Sequence, residues 1–127
     1  MALVQSLEGK LRLPVVGAPL FIVSGPELVI AQCKAGIVGS FPALNARPQS
    51  MLGEWLTRIK EELAEYDREN PESPSAPYAV NQICHASNDR LMDDMQTCVD
   101  HEVPIIITSL RPPLEIVQAA HSYGGVV

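Results

Sequence analysis

Pro104-Ile105-Ile106-Ile107-Thr108-Ser109 is an apolar run without alternation that ends in two hydroxyls. A strand that reads apolar on both faces is buried on both, which is the habit of parallel sheets covered by helices. Three other runs have the same character: Pro14-Val15-Val16-Gly17-Ala18-Pro19, Gly36-Ile37-Val38-Gly39-Ser40 and Tyr78-Ala79-Val80-Asn81. Helix-like segments separate all of them. Right-handed crossovers then place the strands parallel. The fold class that follows is α/β, built from parallel (β/α) units, with the chemistry gathered at the carboxyl ends of the strands.

Outward from these runs, the helices declare themselves by spacing and by stop signals. Met1–Gly9 reads as a lead-in, and Leu11-Arg12-Leu13 as a short strand across one end of the sheet. The first core strand is Val15–Ala18. Ser24-Gly25-Pro26-Glu27 matches a capping box, so the first helix is expected from Ser24, with Pro26 in its first turn, Leu28, Ala31, Gln32 and Ala35 on one stripe, and Gly36 as the stop. Ile37–Phe41 is the second strand. The second helix runs from about Gln49 to Tyr66 and buries Leu52, Trp55, Leu56, Ile59 and Leu63. Residues 67–77, with Pro71, Pro74 and Pro77, read as a mobile Pro-rich loop. Tyr78–Ile83 is the third strand, and the third helix covers about Asn88–His101, turning Leu91, Met95, Cys98 and Val99 inward. Ile105–Ser109 is the fourth strand. The last helix opens at Pro113, uses Ile116, Val117 and Ala120, and stops near Gly124, before a fifth strand that is just beginning.

At 127 residues the chain is read as one domain. A closed eight-stranded barrel takes about 250 residues, so residues 1–127 are expected to be a single partial barrel, cut off inside a strand. The net charge is −6, and the nine Lys and Arg are scattered, which argues against nucleic acid. Cys33, Cys84 and Cys98 follow no metal-ligand spacing and read as free thiols of a reducing, cytoplasmic setting. A basic region followed by a long apolar run is missing at the start, and no stretch has the length of a membrane span.

Parallel strands would collect Ala18 to Phe21, Ser40-Phe41, Asn81 to His85 and Ser109 to Arg111 on one rim. That rim is mostly apolar with a few amides and hydroxyls, which suits a flat aromatic ligand better than a metal. Paired carboxylates are absent from the strand ends, against glycosidase chemistry. Gly36-Ile37-Val38-Gly39 precedes a strand, so it is not a dinucleotide fingerprint. Glu27 in the first turn of the first helix opposes a phosphate there.

Leu13-Pro14-Val15-Val16-Gly17-Ala18-Pro19-Leu20-Phe21-Ile22-Val23-Ser24-Gly25-Pro26-Glu27-Leu28, continuing through Cys33-Lys34-Ala35-Gly36-Ile37-Val38-Gly39-Ser40-Phe41-Pro42, resembles the opening of the nitronate monooxygenases. These 2-nitropropane dioxygenase-like flavoproteins are FMN-binding TIM barrels. Tyr78-Ala79-Val80-Asn81 and Val103-Pro104-Ile105-Ile106-Ile107-Thr108-Ser109 extend the resemblance, which reaches only the amino-terminal part of such a protein.

The resemblance implies FMN as cofactor, an alkyl nitronate and dioxygen as substrates, and roles for particular residues. Ala18-Pro19-Leu20 stands where the family sets an Ala-Pro-Met segment against the flavin ring, Leu20 replacing the Met. Asn81 matches a strand-end Asn whose amide bonds the flavin; its plainer role is to cap the strand. Ser109 matches a position near flavin or substrate, or caps the next helix. Phe21, Ile22 and Phe41 could wall the pocket, and Phe21 and His85 are the substrate-side candidates. Arg111 stands where a small residue is expected; it either strains a positive φ, greets an anion, or is solvated. His101 and His121, near helix carboxyl ends, read as structural. Cys84 has no evident base. The family's phosphate loops and its proton-abstracting histidine lie in later strands, so no catalytic residue is assigned. Two alternatives stand beside this reading: a related FMN barrel that reduces enoyl groups with NAD(P)H, and a non-catalytic half-barrel that self-associates through exposed edges.

Overall fold

A three-stranded parallel sheet in the order β1-β2-β3 carries the computed structural model, which describes residues 4–127. The lead-in residues 1–3 lie outside the described residues. In chain order the elements are α1 (Pro26–Ala35), β1 (Gly39–Pro42), α2 (Met51–Glu69), β2 (Tyr78–Ile83), α3 (Leu91–Asp100), β3 (Ile105–Ser109) and α4 (Leu114–His121). The sheet is flanked by two isolated parallel bridges, Val16 to Val38 and Ile105 to Val126. The five strand positions therefore follow chain order, all parallel, as in one side of a (β/α) barrel.

Side chains alternate across the sheet, and both faces are covered. Phe41, Val80 and Ile106 point toward the helices, where Leu52, Leu56, Ile59, Met95, Cys98 and Ile116 complete the main core. Val38, Ala79 and Ile105 point the other way and meet Leu7 and Leu11 of the amino-terminal segment. Each large side chain buried in the helix layer contributes about 1.5–3 kcal/mol. Two glycines are required by geometry. Gly36 closes α1 in the left-handed region, at φ 94°. Gly39 lets α1 lie directly on β1: a Cβ there would stand 2.5 Å from the Val29 carbonyl oxygen.

Sequence and structure diverge in identifiable places. Val15–Ala18 does not form a full strand. It keeps only the Val16 bridge, held by Val38 N–H to Val15 O and Gly17 N–H to Val38 O, and its valines are exposed. A strand with one neighbour has no partner on its far side to bury it. Ser24 caps nothing: Gly25 is the N-cap, and the Ser24 hydroxyl instead accepts the Leu20 N–H. The buried stripe of α1 is Val29, Ile30 and Cys33; Ala31 and Ala35 face out. Residues 67–69 belong to α2. The rest of the Pro-rich segment is tied down by Ser75 N–H to Asp67, by Ala76 N–H to the Cys33 carbonyl and by Arg12 to Ser73. The helix stripe of α2 and the bounds of β2 and β3 fall where the apolar spacing puts them.

Candidate functional site

Asn81 and Ser109 meet at the carboxyl end of the sheet. The register sets Asn81 opposite Ile107 and Ile83 opposite Ser109, so both side chains rise from the same face of neighbouring strands. The Asn81 amide nitrogen donates to the Ile107 carbonyl at 3.0 Å and to the Ser109 hydroxyl at 2.8 Å. Both of its hydrogens are thereby used. The Asn81 Oδ1 accepts no bond from the described residues and stays in contact with solvent. An amide oxygen that bonds only water can exchange that water for an N–H of a ligand. Neither residue serves as a cap: Asn81 lies within β2, and α4 starts behind Pro113 without a side-chain cap.

Ala18, Pro19 and Leu20 lie at the same end, on the segment that follows the Val16 bridge. The loop they enter is closed on itself by Leu20 N–H to Ser24 Oγ (2.8 Å) and Ser24 N–H to Leu20 O (3.0 Å). Asn45, just past β1, bonds the loop three times. Its amide donates to Leu20 O and Ser24 O, and its carbonyl accepts from Ile22 N–H. Ile22 is held at φ +68°. A β-branched residue in that region costs ~1–2 kcal/mol, so the loop's bonds oppose real strain. Leu110, after β3, is the other rim residue in this conformation, at φ +76°. The positive φ falls on Leu110 and not on Arg111, which is exposed.

The rim is apolar and open. Phe21, Ile22, Val23, Leu110 and Leu114 all reach solvent, with Ile22 at 79%. The Arg47 guanidinium lies over the Phe21 ring, 5.3 Å from its centre. Phe41 is a correction to the expected pocket wall: it points into the helix layer, edge-on to Trp55 at 5.5 Å. His85 is exposed beyond β2, and its Nδ1 accepts the Ser87 N–H at 3.0 Å. Cys84 is buried, and burial raises its thiol above the ordinary range even though Arg111 pulls it down. His101 follows α3 and His121 ends α4; burial, helped by Lys60, lowers the His101 pKa. Among the described residues no three His, Cys, Asp or Glu side chains converge on a metal position. Two concave depressions lie away from the rim, one between α2 and His101 and one at Glu69–Ser73. Among the described residues no helix is long and apolar enough to cross a membrane.

Two elements of the rim escape sequence reading. One is Asn45, whose partners sit 21 to 25 residues away in the chain. The other is the ion pair between Arg90 and the fully buried Asp94, at 2.9 Å. Their i,i+4 spacing is a visible signal, but nothing in it separates a buried pair from a solvated one.

Comparison with solved structures gives the fold a precedent. FabK from Thermotoga maritima superposes with a TM-score of 0.71 at 18% identity, over 95% of this chain and 34% of that one. A point mutant of the same protein gives 0.69 at 17%, over 95% and 36%. This chain is thus a partial TIM-type barrel in fold, and it spans about a third of the length of those neighbours. No protein-family model and no curated protein matches the sequence.

Proposed function

We propose that this chain is the amino-terminal part of an FMN-dependent oxidoreductase barrel, with the flavin ring seated over the strand carboxyl ends. The observation that carries the proposal is the Asn81 carboxamide. Ser109 and Ile107 consume its donors and leave one solvent-facing acceptor, Oδ1, beside an apolar rim. A flat, largely apolar heterocycle with a ring N–H answers that arrangement. FMN, when bound, supplies the two-electron chemistry. The chain's residues would orient it and exclude water: Asn81 Oδ1 taking a ring N–H, Ser109 holding the Asn81 amide in place, and the backbone of Ala18, Pro19 and Leu20 lining the ring's edge. Phe21 and His85 would face the substrate.

Within this reading, oxidation of an alkyl nitronate with dioxygen rests on the sequence resemblance. Enoyl reduction with NAD(P)H rests on the likeness in fold to FabK, which is a likeness of fold alone. Self-association of a non-catalytic half-barrel is favoured by a separate observation, the exposure of Leu13, Val15 and Val16 along the outer edge.

Titration of the purified full chain with FMN, followed by quenching of flavin fluorescence, tests the cofactor. Binding weakened at least tenfold by Asn81→Leu supports the site. Absence of quenching, or equal binding by the variant, overturns it. Dioxygen uptake with propyl nitronate against NAD(P)H oxidation with an enoyl thioester separates the two reactions. A colourless dimer or larger species in sedimentation favours the non-catalytic reading.

A further inference from the structure

Arg90 makes no hydrogen bond to the Leu20–Val23 loop or to Asn81, yet it stands one bond-step from the residue that shapes that loop. Its guanidinium donates to the Ala46 carbonyl at 2.8 Å and the Ala43 carbonyl at 3.3 Å. These two carbonyls bracket Asn45, which sits in the 3-10 turn Ala43–Asn45. The guanidinium is held from behind by Asp94 at 2.9 Å, and Asp94 also accepts from Gln49 at 3.2 Å. Asn45 in turn makes its bonds to Leu20 O, Ile22 N–H and Ser24 O.

We infer that Asn45 and Arg90 are positioning residues, and that together they carry one rigid path from α3 to the amino-terminal rim loop. Asn45 sets the left-handed turn at Ile22, and Arg90, locked by Asp94, sets Asn45. The path joins three successive loops at the carboxyl end of the sheet: the loop before α1, the loop after β1 and the start of α3. Its chemistry explains the choice of residues. An Asn can donate twice and accept once, which is what two carbonyls and one N–H of a tight loop require. An Arg can fork between two carbonyls and a carboxylate, which a Lys, with a single nitrogen, cannot match in geometry. Asp94 is fully buried and compensates the guanidinium where water cannot. The loop so held displays Leu20, Phe21, Ile22 and Val23 to solvent in one arrangement. The inference concerns the shape of the rim and does not depend on which ligand the rim takes.

Amide hydrogen exchange on the full chain, read by mass spectrometry on peptides covering 18–25, tests it, with peptides from β2 as internal reference. Asn45→Ala is expected to speed exchange in 18–25 at least tenfold relative to β2. Arg90→Ala is expected to speed the same peptides at least threefold, though it removes no hydrogen bond to them. Arg90→Lys should fall between Arg90→Ala and the parent chain. Exchange in 18–25 that tracks β2 in both Asn45→Ala and Arg90→Ala overturns the inference. Loosening confined to 43–46 and 88–94 in Arg90→Ala overturns the path while leaving Asn45's own part. Should Asn45→Ala fail to fold, Asn45→Asp is read instead. It keeps the acceptor for Ile22 N–H and loses both donors, so faster exchange at 18–25 supports the inference and unchanged exchange defeats it.

Discussion

The helix layer and the amino-terminal edge have much the same composition and opposite fates. Phe41, Leu56, Val80 and Ile106 are sealed between sheet and helices; Val15, Val16, Leu20 and Phe21 are just as apolar and lie open. The difference is the number of neighbours each strand position has. β2 is paired on both sides, whereas the Val16 segment is paired on one side only, through the bridge to Val38. Apolar character thus marks where a residue could be buried, and topology decides whether it is. The edge carries both the open apolar surface and the rim residues Ala18, Pro19 and Leu20.

The sharpest way to break this contrast is a matched pair of truncations. Leu56→Ala in the helix layer should lose ~2–5 kcal/mol in urea unfolding, whereas Val16→Ala at the edge should stay within about 0.5 kcal/mol. Equal losses would mean that the edge is covered in solution. Gly39→Ala probes the contact that lets the helix layer close, since its Cβ would press on the Val29 carbonyl oxygen at 2.5 Å. Overpacking of that kind costs ~1–3 kcal/mol, and a circular-dichroism melt would show it.

Alkaline titration reads the helix layer alone, because Cys33 and Cys98 both lie in it and the edge carries no thiol. Burial pushes the Cys98 thiol from 9.0 up to about 12 and Cys33 up to about 11. Both groups stay neutral in the fold while the unfolded chain ionises them near its ordinary value. Their contribution is therefore complete below that value and is lost as pH rises through the folded one. Stability should fall by on the order of 1 kcal/mol for one pH unit above the ordinary thiol value, and Cys98→Ala should flatten that slope in urea midpoints taken across the range. The smallest effect is expected at the rim. Phe21→Ser removes an exposed ring and should leave stability within about 0.5 kcal/mol. It should also reduce any self-association seen by sedimentation, a result that would tie the open surface to assembly.

Much of the fold was legible before any coordinates. Tyr78–Ile83 and Ile105–Ser109 read as strands because Val80 and Ile106 bury one face and Ala79 and Ile105 the other, so the runs stay apolar up to Asn81 and Thr108. The stripe Leu52, Leu56, Ile59 and Leu63 read as a helix because one helical face meets one core. Ser24-Gly25-Pro26-Glu27 misled, because a capping box competes with other uses of the same groups. Here the serine hydroxyl went to Leu20 N–H, and Glu27 went to Arg58 at 2.8 Å. That pair lowers the Glu27 pKa chiefly through the Arg58 bond, on an exposed surface where it contributes little.

By itself the sequence determined the order of strands and helices, their parallel sense and the end of the sheet at which polar groups gather. Those features follow from local periodicity and from the handedness of crossovers. Only the tertiary structure decided that Asn81 spends its donors on Ile107 and Ser109 and keeps Oδ1, that Phe41 turns from the rim into the core, and that Asn45 bonds the loop at Ile22. Each of these depends on a register or a contact between residues far apart in the chain. A one-residue change of register would turn each strand side chain to the other face.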